Sequence, residues 1–389
     1  MIASTFTKMF FSILLPLLGL CIPIESNDED YLRRDKRIIR VQNNFNYTKP
    51  VKYYIDTNIN NKKNILEALN HLEHYTCLKF TEVKQTLKKD GINFYKKPDL
   101  SVEYKYYKDK LSNVSITLQC LKELGCMKHM IGRAFGLHFE TARYDRNHYV
   151  KILWNNIEQQ SKKLYSKVKG FKSRYFNTAF DYGSIMMPNI TEGAMKGKKA
   201  YTTKGSKLYE NMVGQREEFS FSDIKKINDV FCGGQCGKKL RNCKNGGYPS
   251  PNCGICNCPS GYKGKYCEKL EASQGDCGKR FLYAKRREQT LTLKGLKKCV
   301  IGFYSKPRTN LALVVKKVKT TKRTPCVENK GIEIKYRHDK GATGLVLCGS
   351  YKDVVIKPTF SRAVMIYLGQ NKDDMITLSY REVRRTSRK

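Results

Sequence analysis

Residues 129–140 have the spacing of a zinc-binding helix, but most of the side chains that would do its chemistry are replaced. They read H-M-I-G-R-A-F-G-L-H-F-E. In the pattern H-E-x-x-H-x-x-G-x-x-H, three imidazoles bind zinc and the glutamate is a general base. With His129 in the first position, the glycine of the pattern falls on Gly136. The frame of such a site is therefore present.

The other positions of the pattern hold side chains that neither bind a metal nor accept a proton. Met130 stands at the position of the general base, and Arg133 and Phe139 stand at the second and third ligand positions. The Arg133 guanidinium has no lone pair to donate, and its permanent charge would repel a cation. With His129 as the one matching ligand, we predict no bound zinc and no catalytic residues.

Two alternatives are open at this position. His138 lies one residue before the third ligand position, so a shifted register would give a zinc site made of His129 and His138. Without a metal, we expect Arg133 to bind an anion there, or to pair with Glu123 or another acid of the cleft.

The beginning of the chain has the form of a secretory signal peptide. Lys8 precedes an apolar run over residues 9–24, and polar residues follow. We therefore place a signal peptide at residues 1–26. A membrane anchor is the alternative, but the run is short for a span and is interrupted by Pro16. No later segment is apolar enough to cross a membrane, so secretion to the extracellular space is predicted.

A basic run over residues 33–37 follows the predicted signal. It reads R-R-D-K-R, a basic run that a furin-type protease could cut. This predicts a short pro-segment at residues 27–37, and a simple charged linker is the alternative.

The cysteines and the sequons agree with export. The chain has 15 cysteines, and removal of Cys21 with the signal leaves 15 − 1 = 14, an even number. In an exported chain this predicts a framework of disulfides. Three N-x-S/T sequons, at Asn46, Asn113 and Asn189, predict glycosylation.

The charge of the chain indicates acidic partners. There are 74 Lys and Arg residues against 35 Asp and Glu residues, a net charge of +39. Such a field attracts polyanions, and predicted export favours sulfated glycans, anionic surfaces or acidic extracellular proteins over nucleic acid. A solvated surface without a dedicated partner is the alternative. Residues 384–389 form a basic tail.

Hydrophobic periodicity predicts a first unit over residues 38–233 that mixes helices and strands. A capping box at Ser220 and Asp223 predicts the start of its last helix. The predicted strands lie near 51–55, 92–94 and 114–118, and the predicted helices cover 64–75, 121–135 and 220–232.

Several stretches of this unit resemble the astacin family of metalloendopeptidases, which are metzincins with an α+β fold. They are residues 76–80, 90–94, 140–150, 181–186 and 227–232. The resemblance implies a Cys77–Cys232 disulfide and a methionine floor, Met186, beneath the zinc position. It also implies that Glu140 forms a salt bridge with the processed N-terminus. After that methionine the family places a histidine and a tyrosine, where this chain has Met187 and Pro188.

Two further implications concern the cleft. The strand near 114–118 resembles the edge strand on which the family pairs its peptide substrates. The partner of Cys120 in the family, expected near Val102, is absent, and Cys126 is an additional cysteine. A Cys120–Cys126 disulfide would keep the number even, although both lie beside or within a helix. An unpaired thiol or an intermolecular disulfide is the alternative.

Two smaller units follow the first. Residues 234–270 hold six cysteines between 236 and 267 and are too short for a core, so disulfides must stabilise them. They resemble an EGF-like domain. Residues 271–383 alternate apolar and polar positions, which predicts an all-β sandwich, and their D-C-G and L-C-G motifs resemble a CUB domain. The implied disulfides are Cys236–Cys253, Cys243–Cys256, Cys258–Cys267, Cys277–Cys299 and Cys326–Cys348.

Three functions are compatible with these observations. The first is a secreted pseudoprotease that has lost zinc and acts by binding extracellular proteins or peptides. The second is an active zinc endopeptidase, as the resemblance alone would suggest. The third is a binder of sulfated glycans, driven by the net charge of +39.

Overall fold

The computed structural model describes residues 47–105, 109–168, 178–237, 240 and 242–385. The predicted signal peptide, the pro-segment, the sequon at Asn46 and tail residues 386–389 lie outside the described residues. Tail residue Arg384 is still part of the last strand. Within the described ranges, no helix has both the length and the apolar character that a membrane span requires.

A five-stranded sheet forms the base of the first unit. Its strands are β1 (Val51–Ile55), β2 (Phe80–Val83), β3 (Gly91–Lys96), β4 (Ser101–Lys105) and β5 (Leu111–Ile116). The order across the sheet is β2-β1-β3-β5-β4, and β4 runs antiparallel to β5 at one edge. The expectation that the strand near 114–118 lies at the edge is therefore wrong. Strand β5 is hydrogen-bonded on both sides, to β3 and to β4, and the edge belongs to β4.

Helix α1 (Lys63–Tyr75) covers this sheet as its apolar stripe predicts. Ile65, Leu69 and Leu72 lie in the core, which also contains Phe94 and Val114 of the sheet.

The predicted helix over 121–135 is two helices in the structure, α2 (Leu118–Lys122) and α3 (Leu124–Ala134). The break occurs because Glu123 has an extended backbone, with φ −114° and ψ 108°. The Cys120–Cys126 disulfide joins the two helices across this break, with 5.3 Å between the Cα atoms. The break gives the two cysteines a separation that a disulfide can span.

The last helix of the unit is α4 (Phe221–Phe231), and its predicted capping box is confirmed. The Ser220 hydroxyl accepts from the Asp223 amide, and the Asp223 carboxylate accepts from the Ser220 amide. The same carboxylate accepts from the Ser184 hydroxyl at 2.6 Å and from the Ile185 amide at 2.9 Å. Asp223 therefore fixes the start of the helix and residues 184–185 together.

Short elements connect these parts. Strands β6 (Val150–Ile152) and β7 (Tyr201–Thr203) pair with each other. The 3-10 helices are Glu140–Ala142, Tyr144–His148, Trp154–Asn156, Gln159–Tyr165 and Lys207–Asn211.

The cysteine-rich module consists of two short strand pairs, β8 (Tyr248–Pro249) with β9 (Cys256–Asn257), and β10 (Tyr262–Lys263) with β11 (Lys269–Leu270). Three disulfides cross it: Cys236–Cys253, Cys243–Cys256 and Cys258–Cys267.

The predicted all-β region at the end of the chain is confirmed. Its strands are β12 (Phe281–Tyr283), β13 (Gln289–Lys294), β14 (Lys297–Tyr304), β15 (Thr309–Lys319), β16 (Ile332–Lys335), β17 (Leu345–Leu347), β18 (Ser350–Ile356), β19 (Arg362–Gly369) and β20 (Met375–Arg384). One sheet has the order β12-β14-β19-β16-β17 and the other β13-β20-β15-β18.

This sandwich shares a core with the first unit. Tyr182, Tyr209 and Met212 of the first unit lie in one buried cluster with Leu345 and Leu347 of β17. Backbone bonds cross the same boundary, since the Cys326 amide donates to the Asn211 carbonyl at 2.6 Å.

Candidate functional site

Helix α3 carries the degenerate motif and is packed tightly into the core. Met130 and Ile131 are fully buried. Gly132 lies where α3 passes close to its neighbours, since a Cβ there would come within 3.0 Å of the Phe219 ring and 3.6 Å of Met186 Sδ. Gly136 follows the helix with φ +83°, a conformation that favours glycine. Packing at Gly132 and the backbone conformation at Gly136 both favour glycine, and neither reason depends on a metal.

His129 is a buried, neutral histidine. Its side chain is 7% exposed, and Nδ1 lies 3.1 Å from the Ile185 carbonyl oxygen. Burial is the main cause that lowers the pKa of His129 to about 3, and the Arg216 and Arg133 guanidinium groups contribute to the same shift. A neutral ring that donates from Nδ1 leaves Nε2 as an acceptor. This is the orientation of a metal-binding histidine whose other nitrogen is fixed by a carbonyl.

The other ligand positions do not complete a zinc site. The Phe139 ring stacks on the His129 ring, with centroids 5.8 Å apart and planes 24° apart. The ring that stacks on His129 is that of Phe139, and His138 is exposed. Arg133 is half-buried, and within the described ranges its guanidinium has no acidic partner. Glu123 instead accepts from the Gln119 side-chain amide at 2.5 Å.

A second arginine, which the motif did not indicate, lies beneath this position. Arg216 Nη1 donates to the carbonyls of Ile185, Met187 and Gln215 at 2.9, 3.0 and 2.8 Å. No sequence signal connects Arg216 with residues 185–187, because they are distant along the chain. Two guanidinium groups therefore act on the ring that would bind the metal.

The residues present do not fit a zinc ion. A structural or catalytic zinc needs at least three lone-pair donors, and the described residues contain no group of three His, Cys, Asp or Glu side chains that could hold a metal. The donor set consists of the His129 imidazole, beside a phenyl ring and two cations.

Residues 181–186 form the methionine turn. The Met186 amide donates to the Ser184 hydroxyl at 2.9 Å, and Met186 is buried beneath α3. Met187 is buried too, and the Pro188 carbonyl accepts from the Tyr201 hydroxyl at 2.6 Å. Pro188 stands where the resemblance implies a tyrosine, so this position supplies a proline ring and no hydroxyl.

Glu140 lies below the turn with a cation at each side. Lys226 Nζ contacts one carboxylate oxygen, and Arg143 Nη1 lies 3.6 Å from the other. The Asp181 amide donates to the carboxylate at 3.2 Å. The N-terminal segment that the resemblance assigns to Glu140 lies outside the described residues, and sequence reasoning missed Lys226.

The described cysteines form seven disulfides, the same seven pairs that are named above. Of the sequons, Asn189 is exposed. Asn113 lies on the interior strand β5, where it accepts from the Asn93 amide at 3.0 Å.

The mixed five-stranded sheet, the motif helix and the methionine turn beneath it define the class, a metallopeptidase-type α+β domain. The model of the Astacin peptidase family matches residues 39–232. This part of the chain belongs to the astacin family, and a disulfide-bonded all-β region follows it.

The relatives are named as zinc metalloproteinases. The chain is 29% identical over 361 residues to zinc metalloproteinase nas-34 of Caenorhabditis elegans, covering 92% of this chain and 59% of that protein. It is 32% identical over 239 residues to zinc metalloproteinase dpy-31 of Brugia malayi, covering 60% of this chain and 39% of that protein. The chain therefore spans less than two thirds of either relative.

Among solved structures, the chain is similar to high choriolytic enzyme 1, a hatching-enzyme zinc protease from Oryzias latipes. The TM-score is 0.41 and the sequence identity 27%, covering 46% of this chain and 87% of that one.

Proposed function

We propose that this chain is a pseudoprotease, an astacin-family protein that binds no catalytic zinc and acts by binding extracellular proteins or peptides. The observation that carries the proposal is the stacking of Phe139 on His129, with Arg133 at the remaining ligand position. A zinc ion would have one imidazole ligand and would be repelled by Arg133 and Arg216.

The loss of general-base chemistry is independent of the metal. Met130 is fully buried and has no proton acceptor, and Pro188 has no hydroxyl to donate to a developing oxyanion. Restoring the metal alone would therefore not restore hydrolysis.

The edge strand of the first sheet supports binding. Strand β4 is bonded to β5 on one side and lies at the edge of the sheet. An extended peptide can add to such an edge through main-chain hydrogen bonds, as in β-augmentation. The Tyr104 hydroxyl of β4 donates to the Arg133 carbonyl at 2.8 Å, so the edge strand is held against the motif helix. The proposed ligand is an extended peptide segment paired with β4.

The smaller units are proposed to extend this binding. We assign residues 234–270 to the EGF-like type and 271–383 to the CUB-like type on their disulfide pairs and strand content. Seven disulfides favour an oxidising compartment, which supports secretion.

The test is the zinc content of the refolded full chain after dialysis, measured by elemental mass spectrometry beside a casein digest. We expect no stoichiometric zinc and no cleavage that a chelator abolishes. One zinc per chain, lost together with proteolysis on chelation, would establish the alternative, an active zinc endopeptidase.

A restored variant serves as the positive control. Met130→Glu, Arg133→His and Phe139→His together rebuild the three-histidine pattern, and adding His129→Ala removes one ligand again. We expect zinc binding in the first variant and not in the second. Zinc bound equally by the unmodified chain and by its His129→Ala variant would be adventitious.

A further inference from the structure

An exposed aromatic surface lies at the edge of the sandwich, on β12. Phe281 and Tyr283 are 51% and 70% exposed, and Leu282 between them packs against the core. Tyr304 of the neighbouring strand lies beside both, with ring centroids 6.3 Å from Phe281 and 5.7 Å from Tyr283. We call these three rings the β12 aromatic surface.

The rest of this sheet face is covered. Leu270 and Tyr262 of the cysteine-rich module pack on Val300, Val364 and Ile366. The β12 aromatic surface begins where that cover ends. Single exposed aromatic side chains are ordinary, whereas a contiguous exposed apolar patch is typical of an interaction site.

Cations flank this strand on both sides. Lys279 and Arg280 precede it and residues 285–287 (K-R-R) follow it, with no acidic residue between 279 and 287. The described ranges hold no acidic partner for any of these five cations. Arg280 lies over the Phe281 ring at 6.0 Å and donates to the Glu271 carbonyl, so its guanidinium is fixed beside the rings.

We propose that the β12 aromatic surface and its flanking cations bind an anionic polysaccharide that carries sulfate or carboxylate groups. The face of an aromatic ring is electron-rich, so it attracts the polarised C–H bonds on the flat side of a sugar. Guanidinium and ammonium groups pair with sulfates and carboxylates.

The alternative polyanion, a single-stranded nucleic acid, would use the same rings and cations. The seven disulfides favour the glycan, because they indicate an oxidising compartment where nucleic acid is not the usual polyanion. This proposal does not depend on the state of the metal position in the first unit.

The test measures binding of the full chain to a heparin-derived oligosaccharide at several salt concentrations. Phe281→Ala with Tyr283→Ala removes no charge, so we expect about tenfold weaker binding with an unchanged salt dependence. Replacing the three cations at 285–287 by Gln is expected to weaken binding and also to reduce the salt dependence.

The matched control replaces Lys84, Lys88 and Lys89 by Gln, which removes the same charge from exposed positions of the first unit. We expect less than about a twofold effect. An equal loss in the control and in the 285–287 variant, or unchanged binding in the ring variant, would overturn the site. Tighter, ring-dependent binding of a single-stranded DNA would overturn the assignment to a glycan. Because the replaced side chains are exposed, unchanged far-ultraviolet circular dichroism and an unchanged unfolding transition are expected to show that every variant is folded.

Discussion

Lys226 and Glu140 form a buried ion pair beneath the methionine turn, between α4 and the segment that follows α3. Glu140 is 1% exposed and Lys226 is 8% exposed. The sequence resemblance to astacins implies that Glu140 forms a salt bridge with a processed N-terminus. Here a lysine of the last helix supplies a cation to the same carboxylate. The acid therefore has a partner whose presence does not require proteolytic processing.

Replacing Lys226 by Met should lower the free energy of unfolding by about 3 kcal/mol, because the Glu140 charge stays buried with Arg143 as its remaining cation. Denaturant unfolding of the full chain measures this. Lys62→Met is the control: its pair with Glu82 is on the surface, at 2.5 Å, and should contribute less than about 1 kcal/mol. Adding Glu140→Gln to Lys226→Met should recover part of the loss. Equal effects at Lys226 and Lys62 would contradict the burial of the pair.

The neutral state of His129 predicts a pH dependence of stability. Its folded pKa, about 3, lies below the ordinary value of 6.5, so the unfolded chain binds more protons between those two values. Stability should therefore fall as the pH falls from about 6.5 towards 3, by at most roughly 1.4 kcal/mol per pH unit from this group. His129→Gln should flatten that part of the curve. His148→Gln, at an exposed position, is the control, and equal curves for His129→Gln and the unmodified chain would contradict a buried neutral ring.

The parts of the fold that follow from local pattern could be predicted. The stripe of α1, the capping box of α4 and the alternation in the sandwich are all written in neighbouring residues. The helix break at Glu123 could not be predicted, because residues 121–135 have helical periodicity throughout and the break depends on a backbone angle. The position of β5 inside the sheet was also missed, since sheet order depends on pairing between distant segments.

Some features of the candidate site could likewise be predicted from the sequence, and others could not. The absence of ligands at Arg133 and Phe139 is evident from spacing. The position of Arg216 beneath the methionine turn, and the contact of Lys226 with Glu140, arise from tertiary folding between segments with no shared motif. The residues around the site could therefore not be found from the motif alone.

The Cys120–Cys126 disulfide predicts that neither cysteine is a free thiol. Its sequence separation is 6 residues, so the loop is short and the disulfide should stabilise the chain by about 2 kcal/mol. Replacing both cysteines by Ala tests this, with peptide mapping of the unmodified chain under non-reducing conditions. Removing Cys77–Cys232, with a separation of 155, should cost about twice as much. Recovery of an alkylated Cys120 from the unreduced protein would support the unpaired alternative.

The contacts that Arg337 of the sandwich makes with the first unit lead to a prediction about how strongly these two units are coupled. Its Nη1 donates to the Phe180 carbonyl at 2.6 Å, and its guanidinium lies 5.4 Å from the Tyr182 ring and 5.8 Å from the Tyr209 ring. All three partners belong to the first unit. Because the hydrogen bond and the ring contacts are lost together, Arg337→Ala should lower stability by about 2–3 kcal/mol.

The same substitution should change the form of the unfolding transition. The shared core makes one cooperative unit of the first unit and the sandwich, so calorimetry of the unmodified chain should show them unfolding together. In Arg337→Ala the sandwich should separate first, giving two transitions and faster proteolysis of the chain between the two units. Arg287→Ala, which removes an exposed guanidinium from the same sandwich, should leave the single transition unchanged. Two transitions in the unmodified protein would show that the shared core does not couple the units.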